Sequence, residues 1–173
     1  MRVAFLILDV QKAFFEIDAD TAVSLRSAVK TINSAMAVFR KHELPILCVQ
    51  HRNDSADLVP GRLGFDISDS LDIAAGDMRI VKTHGNVFRN TECTVCLRGL
   101  GVDTVVIAGF SAEQCVLSTC RGAEDEGLNP ILLRGGLASE KPDRIRFVEE
   151  INEVVSLGAL SALLDGCRLP LGD

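Results

Sequence analysis

Short apolar runs alternate along this chain of 173 residues with longer stretches in which apolar residues recur at helical spacing. Continuous apolar runs are typical of strands buried on both faces, and their alternation with helices is typical of a parallel sheet covered on both sides. The pattern therefore predicts a three-layer α/β/α fold with a doubly wound, mostly parallel sheet of six strands. The predicted strands cover residues 3–9, 45–50, 78–82, 104–109, 129–133 and 154–157.

Helical periodicity and stop signals place four longer helices between these strands. Pro45 bars continuation of the first helix, and Gly101 ends the second. After residue 157 the sequence predicts a short apolar turn or helix, followed by a frayed C-terminal end. We find no repeat and no linker, so the sequence predicts a single domain over residues 1–173. The predicted helices cover residues 21–42, 91–100, 113–126 and 142–152.

The stretch between His51 and Asp77 breaks this rhythm. It carries one proline and three glycines with scattered acidic residues, and it is longer than most connections between packed elements. Long irregular segments at strand ends often cover a substrate, and they are as often surface excursions. From the sequence alone the two interpretations carry equal weight.

Composition narrows the class of partner. A net charge of −6 argues against nucleic acid and against an anionic membrane surface. No apolar run is long enough to span a bilayer, and Asp9 interrupts the first one, which predicts a strand and not a signal peptide. Six cysteines at irregular spacings, with no secretion signal, predict free thiols in the cytoplasm.

Three ionisable residues lie at or soon after the carboxyl ends of predicted strands: Asp9, Lys82 and Cys115. In an open parallel sheet, ligands bind beyond the carboxyl ends of the strands. There a carboxylate can take a thiol proton, and an ammonium group can stabilise both anions. Each residue also has an ordinary interpretation: a turn cap, a surface charge and a buried apolar thiol, respectively.

Cys115 has a setting that favours ionisation. It stands where an apolar strand gives way to a predicted helix, so the positive end of the helix dipole lies close to its sulfur. Together with the Lys82 ammonium, that dipole predicts a pKa below the usual value of about 8.5 for a free thiol.

Three motifs resemble the isochorismatase-like cysteine hydrolase superfamily, which includes nicotinamidases and N-carbamoylsarcosine amidohydrolases. Residues 6–14, Leu-Ile-Leu-Asp-Val-Gln-Lys-Ala-Phe, resemble its opening motif of hydrophobic residue, Asp, x, Gln, x, x, Phe. Residues 81–102 resemble its segment of Lys, then Phe-x-x-Thr, Leu and Gly-Val. Residues 109–116, Gly-Phe-Ser-Ala-Glu-Gln-Cys-Val, resemble its nucleophile motif, with Ala112 where members usually have threonine.

The resemblance implies a mechanism and a set of roles. Asp9 is the acid-base residue, Lys82 the second triad member and Cys115 the nucleophile that forms a thioester. A non-proline cis peptide is implied between Phe110 and Ser111, and the amides of Ser111 and Cys115 are implied to form the oxyanion hole. By the same resemblance we expect a homodimer or homotetramer.

Metal and cofactor are not expected. Nicotinamidases of the superfamily bind a divalent ion through an Asp-x-His pair after the second strand, and here that region reads Gln50-His51-Arg52-Asn53. The chain thus resembles the metal-free branch, with His51 a pocket or loop residue. Cys93 and Cys96 lack a second cysteine pair, which argues against zinc. The remaining cysteines are interpreted as small apolar side chains: Cys48, Cys120 and Cys167.

The substrate is expected to be a small molecule. Candidate apolar walls are Phe14, Phe88 and Phe110, and candidate polar contacts are Gln11 and Gln50. A small amide, carbamoyl or ureido compound is the first choice, and a vinyl ether such as isochorismate is the second. A catalytically silent member that acts as an interaction module is a third hypothesis.

Overall fold

The apolar runs of the sequence form a six-stranded sheet in the computed structural model, which describes residues 2–166. All strand pairs are parallel, and the spatial order is β3-β2-β1-β4-β5-β6. The predicted α/β class and doubly wound sheet are therefore confirmed, with a wholly parallel sheet. The strands are β1 (Val3–Leu8), β2 (Ile46–His51), β3 (Met78–Lys82), β4 (Thr104–Gly109), β5 (Asn129–Leu137) and β6 (Val154–Val155).

Residues 2–166 also contain five α-helices and four short helical turns, of which all but the last α-helix lie between strands. Three turns are 3₁₀ helices, at Lys12–Glu16, Asp54–Ala56 and Leu63–Phe65, and a π-helical turn covers Ala112–Val116. Cys167 and the end of the predicted tail lie outside the described residues. The α-helices are α1 (Ala19–Lys41), α2 (Cys93–Gly99), α3 (Leu117–Asp125), α4 (Pro142–Glu150) and α5 (Leu157–Gly166).

Alternating side chains of β1 build the two halves of the core. Val3, Phe5 and Ile7 face α1 and α5, whereas the residues between them face the layer of α2, α3 and α4. Phe5 stacks on Phe39 of α1 with ring centroids 5.0 Å apart. A strand buried on both faces needs an unbroken apolar sequence, which explains the continuous apolar run from Val3 to Leu8.

Helix α1 begins where its sequence supplies a cap. Asp18 accepts a hydrogen bond of 2.7 Å from the amide of Thr21, which satisfies one of the free N–H groups of the first turn. Its apolar residues recur on one face, so a single helix covers one side of β1 and β5.

Two strands, β5 and β6, end more than one residue away from their predicted ends. Strand β5 runs to Leu137, four residues beyond the predicted end, although Gly135 has a φ of +75°. The pair Gly135-Gly136 is typical of a turn, but here the chain continues in the sheet after a shift of register against β4. Strand β6 is short, and Leu157 already begins α5.

The order of the strands places a switch point between β1 and β4. From β1 the chain winds outward to β2 and β3, and it then returns to the other side of β1 to form β4, β5 and β6. The carboxyl ends of β1 and β4 diverge into different layers there, which opens a crevice. Asp9 follows β1, and the Cys115 turn follows β4.

Among residues 2–166, no helix combines the length and apolar character that crossing a membrane requires.

A substitution of Gly109 tests the close packing between the backbones of β4 and β1. Its φ is +120°, and a Cβ atom would lie 2.0 Å from the carbonyl oxygen of Leu8. We expect Gly109→Ala to lower the free energy of unfolding by about 3 kcal/mol or more. Gly99→Ala is the matched control, because a Cβ there meets nothing within 4 Å. Urea denaturation should show a gain of about 0.5 kcal/mol for the control, and equal behaviour of the two variants would contradict the packing described.

Candidate active site

The three ionisable residues at the ends of predicted strands meet at the carboxyl edge of the sheet. Lys82 Nζ lies 2.8 Å from Asp9 Oδ2 and 3.2 Å from Cys115 Sγ. Asp9 and Lys82 are each only 1% exposed, and Cys115 is half-buried. The structure therefore brings together all three, although they are far apart in the chain.

Lys82 reaches the cluster past the end of β2. His51, the last residue of that strand, pairs with Lys82 in the sheet, and its Nδ1 lies 3.2 Å from Lys82 Nζ. An ammonium group only donates hydrogen bonds, so Nδ1 accepts and the ring proton resides on Nε2. Burial, and next the Lys82 charge, lower the pKa of His51, which keeps the ring neutral near pH 7.

The three N–H groups of the Lys82 ammonium match three acceptors: Asp9 Oδ2, His51 Nδ1 and Cys115 Sγ. A buried ammonium with an unused donor would lose much of its solvation energy without compensation. The match fixes the positions of the carboxylate, the imidazole and the sulfur relative to one nitrogen.

The two carboxylate oxygens of Asp9 differ in their hydrogen bonding. Oδ2 accepts from Lys82, whereas Oδ1 is buried and has no hydrogen-bond partner among residues 2–166. A φ of +56° turns the residue out of the strand direction directly after β1. A carboxylate oxygen of Asp9, a ring nitrogen of His51 and Cys115 Sγ lie within 4.8 Å of one another. Asp9 is thus placed to accept the thiol proton.

Burial raises the pKa of the Cys115 thiol to about 12, and the Asp9 charge adds to the rise while Lys82 opposes it. The expectation of a lowered pKa is therefore wrong in direction. If the thiol lost its proton to water, the site would carry a net negative charge, because the charges of Asp9 and Lys82 already cancel each other. Transfer of the proton to Asp9 instead keeps the cluster neutral overall, so the thiolate is accessible by internal transfer.

The turn that carries Cys115 begins at a cis peptide bond between Phe110 and Ser111. The amide of Ala112 donates to the carbonyl of Ala138, which ties the turn to the end of β5. In contrast, the amide of Ser111 has no acceptor among the residues that the structure describes, and Ser111 lines the cavity beside the sulfur. Its N–H group is available to an oxygen atom of a ligand.

A cavity of about 240 Å³ opens over the sulfur. Its wall comes from the ends of β1, β2 and β4, from the 3₁₀ turn after β1 and from the irregular segment after β2. The lining residues are Asp9, Phe14, Ile17, His51, Asn53, Ala56, Leu58, Phe110, Ser111, Gln114, Cys115 and Glu140. The segment after His51 therefore contributes a pocket wall, one of its two interpretations from the sequence.

Of the five residues expected to contact a substrate, Phe14 and Phe110 line this cavity, with ring centroids 5.0 Å apart. Gln11 lies under the site, where its amide group bonds to the backbone of His51 and Phe65. The other two, Gln50 and Phe88, lie outside the cavity lining.

Those three residues have structural partners. Gln50 donates to the carbonyl of Phe65, as Gln11 does, so the two side chains together anchor the irregular segment against β1 and β2. Phe88 is buried in the core beneath α2. Gln11 and Gln50 thus contribute to the site by holding the backbone that carries the cavity.

Several lining residues were not recognised in the sequence, among them Asn53, Leu58 and Glu140. The first two belong to a segment without periodicity, and no local signal distinguishes its inward side chains. Glu140 follows the true end of β5 closely, and the predicted end at residue 133 concealed this position.

Asp9, His51 and Cys115 are residue types that ligate metals, and their spacing would suit one ion. The ammonium of Lys82 lies within 3.2 Å of an acceptor on each of them, so a metal ion would have to displace a buried cation from the same position. The residues present do not fit a metal held by this trio.

The fold and the site define an α/β protein with a thiol, a carboxylate and an ammonium group at the switch point of a parallel sheet. The sequence model of the isochorismatase domain matches residues 3–151. The chain therefore belongs to the isochorismatase family of hydrolases.

Similar proteins extend along most of the chain. YddQ, an uncharacterized isochorismatase family protein of Bacillus subtilis, is 27% identical over 130 residues, which cover 73% of this chain and 72% of YddQ. An isochorismatase-like hydrolase from Alkaliphilus metalliredigens has a TM-score of 0.85 at 20% identity, covering 94% of this chain and 99% of its own. N-carbamoylsarcosine amidase from Thermoplasma acidophilum has a TM-score of 0.79 at 23% identity, covering 91% and 97% respectively. At these identities the two solved structures show the shared fold.

Removal of one partner of the buried ion pair should be costly. We expect Lys82→Met to lower the free energy of unfolding by about 3 kcal/mol, because the Asp9 carboxylate is left unpaired. The double variant Asp9→Asn with Lys82→Met should recover part of that loss. Lys12→Met is the control, since Lys12 pairs with the exposed Asp69 and should cost at most about 1 kcal/mol. Strictly additive effects in a urea denaturation cycle would contradict the coupling.

The charge of Asp9 also sets the ionisation of the thiol. We expect Asp9→Asn to lower the pKa of Cys115 from about 12, because a charge that raises it is removed while Lys82 remains. The pH dependence of alkylation by iodoacetamide, followed by mass spectrometry of the Cys115 peptide, measures this shift. Apart from the pH-independent rate that proton transfer to Asp9 supplies in the wild-type protein, the rise of the alkylation rate with pH should have its midpoint at lower pH in the variant. A midpoint that stays in place or moves upward would refute the expectation.

Proposed function

We propose that this protein is a cysteine hydrolase that cleaves the C–N bond of a small amide, carbamoyl or ureido compound. The observation that carries the proposal is the cluster in which Lys82 Nζ joins Asp9 and Cys115 at the wall of a cavity. The amidase activity in the name of the Thermoplasma neighbour is consistent with this reaction.

The first half of the reaction forms a thioester. Asp9 takes the proton of the Cys115 thiol, and the sulfur forms a bond to the carbonyl carbon while the carbonyl oxygen becomes an oxyanion. The amides of Ser111 and Cys115 donate to that oxyanion, for which the free N–H group of Ser111 is suited. When the tetrahedral intermediate collapses, the C–N bond breaks and Asp9 delivers its proton to the departing nitrogen.

The second half restores the thiol. Asp9, again a carboxylate, removes a proton from water as the water oxygen bonds to the thioester carbon. The C–S bond then breaks, the acid product leaves, and the proton on Asp9 returns to the sulfur. Each proton transfer occurs between Asp9 and an atom in the cavity, so the buried cluster gains no net charge at any stage.

Lys82 and His51 support these steps without exchanging protons in them. The ammonium stabilises whichever of Asp9 and Cys115 is anionic, because it bonds to both. The neutral ring of His51 accepts from Lys82 and retains its Nε2 proton as a donor at the cavity wall.

The homodimer or homotetramer implied by the resemblance stays a prediction, which light scattering would test.

Cys115→Ala tests the nucleophile. Ammonia release from a panel of small amides and ureides should fall by roughly a thousandfold or more, because no residual nucleophile replaces the sulfur. Cys96→Ala is the matched control, since Cys96 is also half-buried but lies on α2. It should retain activity. Undiminished turnover by Cys115→Ala, with an unchanged midpoint of thermal unfolding, would remove the assignment.

A further inference from the structure

The charges around the cavity are unbalanced in one direction. Asp9 and Glu140 are its two acidic lining residues, and no arginine or lysine belongs to the lining within residues 2–166. Asp9 is neutralised by Lys82, and His51 is held neutral by its lowered pKa. Glu140 is therefore the one uncompensated charge that a ligand meets in the described part of the wall.

Glu140 is unpaired, in contrast to the neighbouring acid of the nucleophile turn. Glu113 accepts from Ser139 Oγ at 2.8 Å and from Arg144 at 2.6 Å. Burial alone would raise the pKa of Glu113, but these hydrogen bonds hold it below its usual value. The carboxylate of Glu140 has no hydrogen bond or ion pair with any residue in the range 2–166, and Arg144, the nearby cation of α4, is committed to Glu113.

The backbone around Glu140 is anchored on both sides. Ala138 exchanges hydrogen bonds with Gly109 and Ala112, and the amide of Ser139 donates to Ser24 on α1. The amide of Lys141 donates to Ser139 Oγ, which itself bonds to Glu113. These contacts fix where the side chain of Glu140 starts. The side chain itself is exposed, and it belongs to the lining at the mouth of the cavity.

We propose that the cavity selects small amides that carry a cationic group, and that Glu140 is the residue that recognises the cation. This inference rests on the proposed function and narrows its substrate class. An ammonium group pairs with Glu140, while the remaining wall offers aromatic and aliphatic surface from Phe14, Phe110 and Leu58. Carboxylate substrates, including a dianion such as isochorismate, meet an uncompensated negative charge, and the lining formed by residues 2–166 offers them no guanidinium or ammonium group to replace their hydration.

The decisive experiment reads the charge preference without turnover. Aminoethyl, methyl and sulfonatoethyl methanethiosulfonate are cationic, neutral and anionic, and each forms a mixed disulfide with a thiolate and releases methanesulfinate. Rates at Cys115 are followed by mass spectrometry and divided by the rates with mercaptoethanol, which removes intrinsic reactivity. Ratios between the reagents also cancel any change in the pKa of Cys115.

We expect the cation-to-anion ratio at Cys115 to exceed that of mercaptoethanol by about fivefold or more, the effect of one partly screened charge pair. Glu140→Gln should lower the ratio by about fivefold, and Glu140→Lys should lower it further. Asp143→Asn is the matched control, because Asp143 is an exposed acid on α4 outside the lining, and it should leave the ratio unchanged. Equal ratios in the wild-type protein and Glu140→Gln would overturn the proposal.

A second arm uses three amides that share a four-carbon skeleton and differ in charge: 4-aminobutyramide, butyramide and succinamate. Wild-type kcat/KM for ammonia release should decrease in that order, and Glu140→Gln should narrow the range. A preference for succinamate would overturn the charge proposal while supporting the amidase function. The expected labelling ratios together with no release from any amide or ureide would instead remove the proposed function and leave the charge selection standing.

Discussion

A buried ammonium group with one acceptor for each of its three N–H groups organises the carboxyl edge of this sheet. Lys82 is almost inaccessible to water, so each of its N–H groups needs an acceptor within the protein. The three acceptors come from three different strand ends, after β1, at β2 and after β4. Displacement of any one of these ends would leave a buried charge without compensation, so the cluster ties the folding of the sheet to the geometry of the site.

The same interaction reconciles the raised pKa of the Cys115 thiol with the nucleophilic role that we propose for it. A low-dielectric site resists a change of net charge far more than a rearrangement of existing charges. Proton transfer from Cys115 to Asp9 exchanges one anion for the other next to a constant cation. The open Oδ1 of Asp9 supplies a vacant acceptor for that proton, whereas Oδ2 stays committed to Lys82.

Much of the fold followed from the sequence, because fully buried parallel strands require apolar runs that few other structures need. The positions of Asp9, Lys82 and Cys115 also followed, since parallel strand ends meet at one edge. The direction in which the pKa of Cys115 shifts could not be predicted from the sequence. The helix terminus and Lys82 are visible in the sequence, whereas the extent to which the thiol is buried is not. Likewise, Gln11 and Gln50 are polar residues at strand ends, and only the three-dimensional structure shows that they bond to Phe65. The position of Glu140 beside the cavity could not be predicted either, because the predicted end of β5 was four residues too early.

The network of Glu113, Ser139 and Arg144 has a consequence for the size of ligand that the cavity accepts. It fastens the turn that bears the sulfur to the connection that bears Glu140, with further backbone bonds from Ala138 on the same side. The backbone that carries the sulfur and the backbone that carries Glu140 are therefore held at a fixed separation, and only the exposed side chain of Glu140 can adjust to the occupant. The cavity consequently limits molecules by length: a compound whose charged end and scissile bond are separated by more or fewer atoms than that side chain can accommodate reaches one group or the other, but not both.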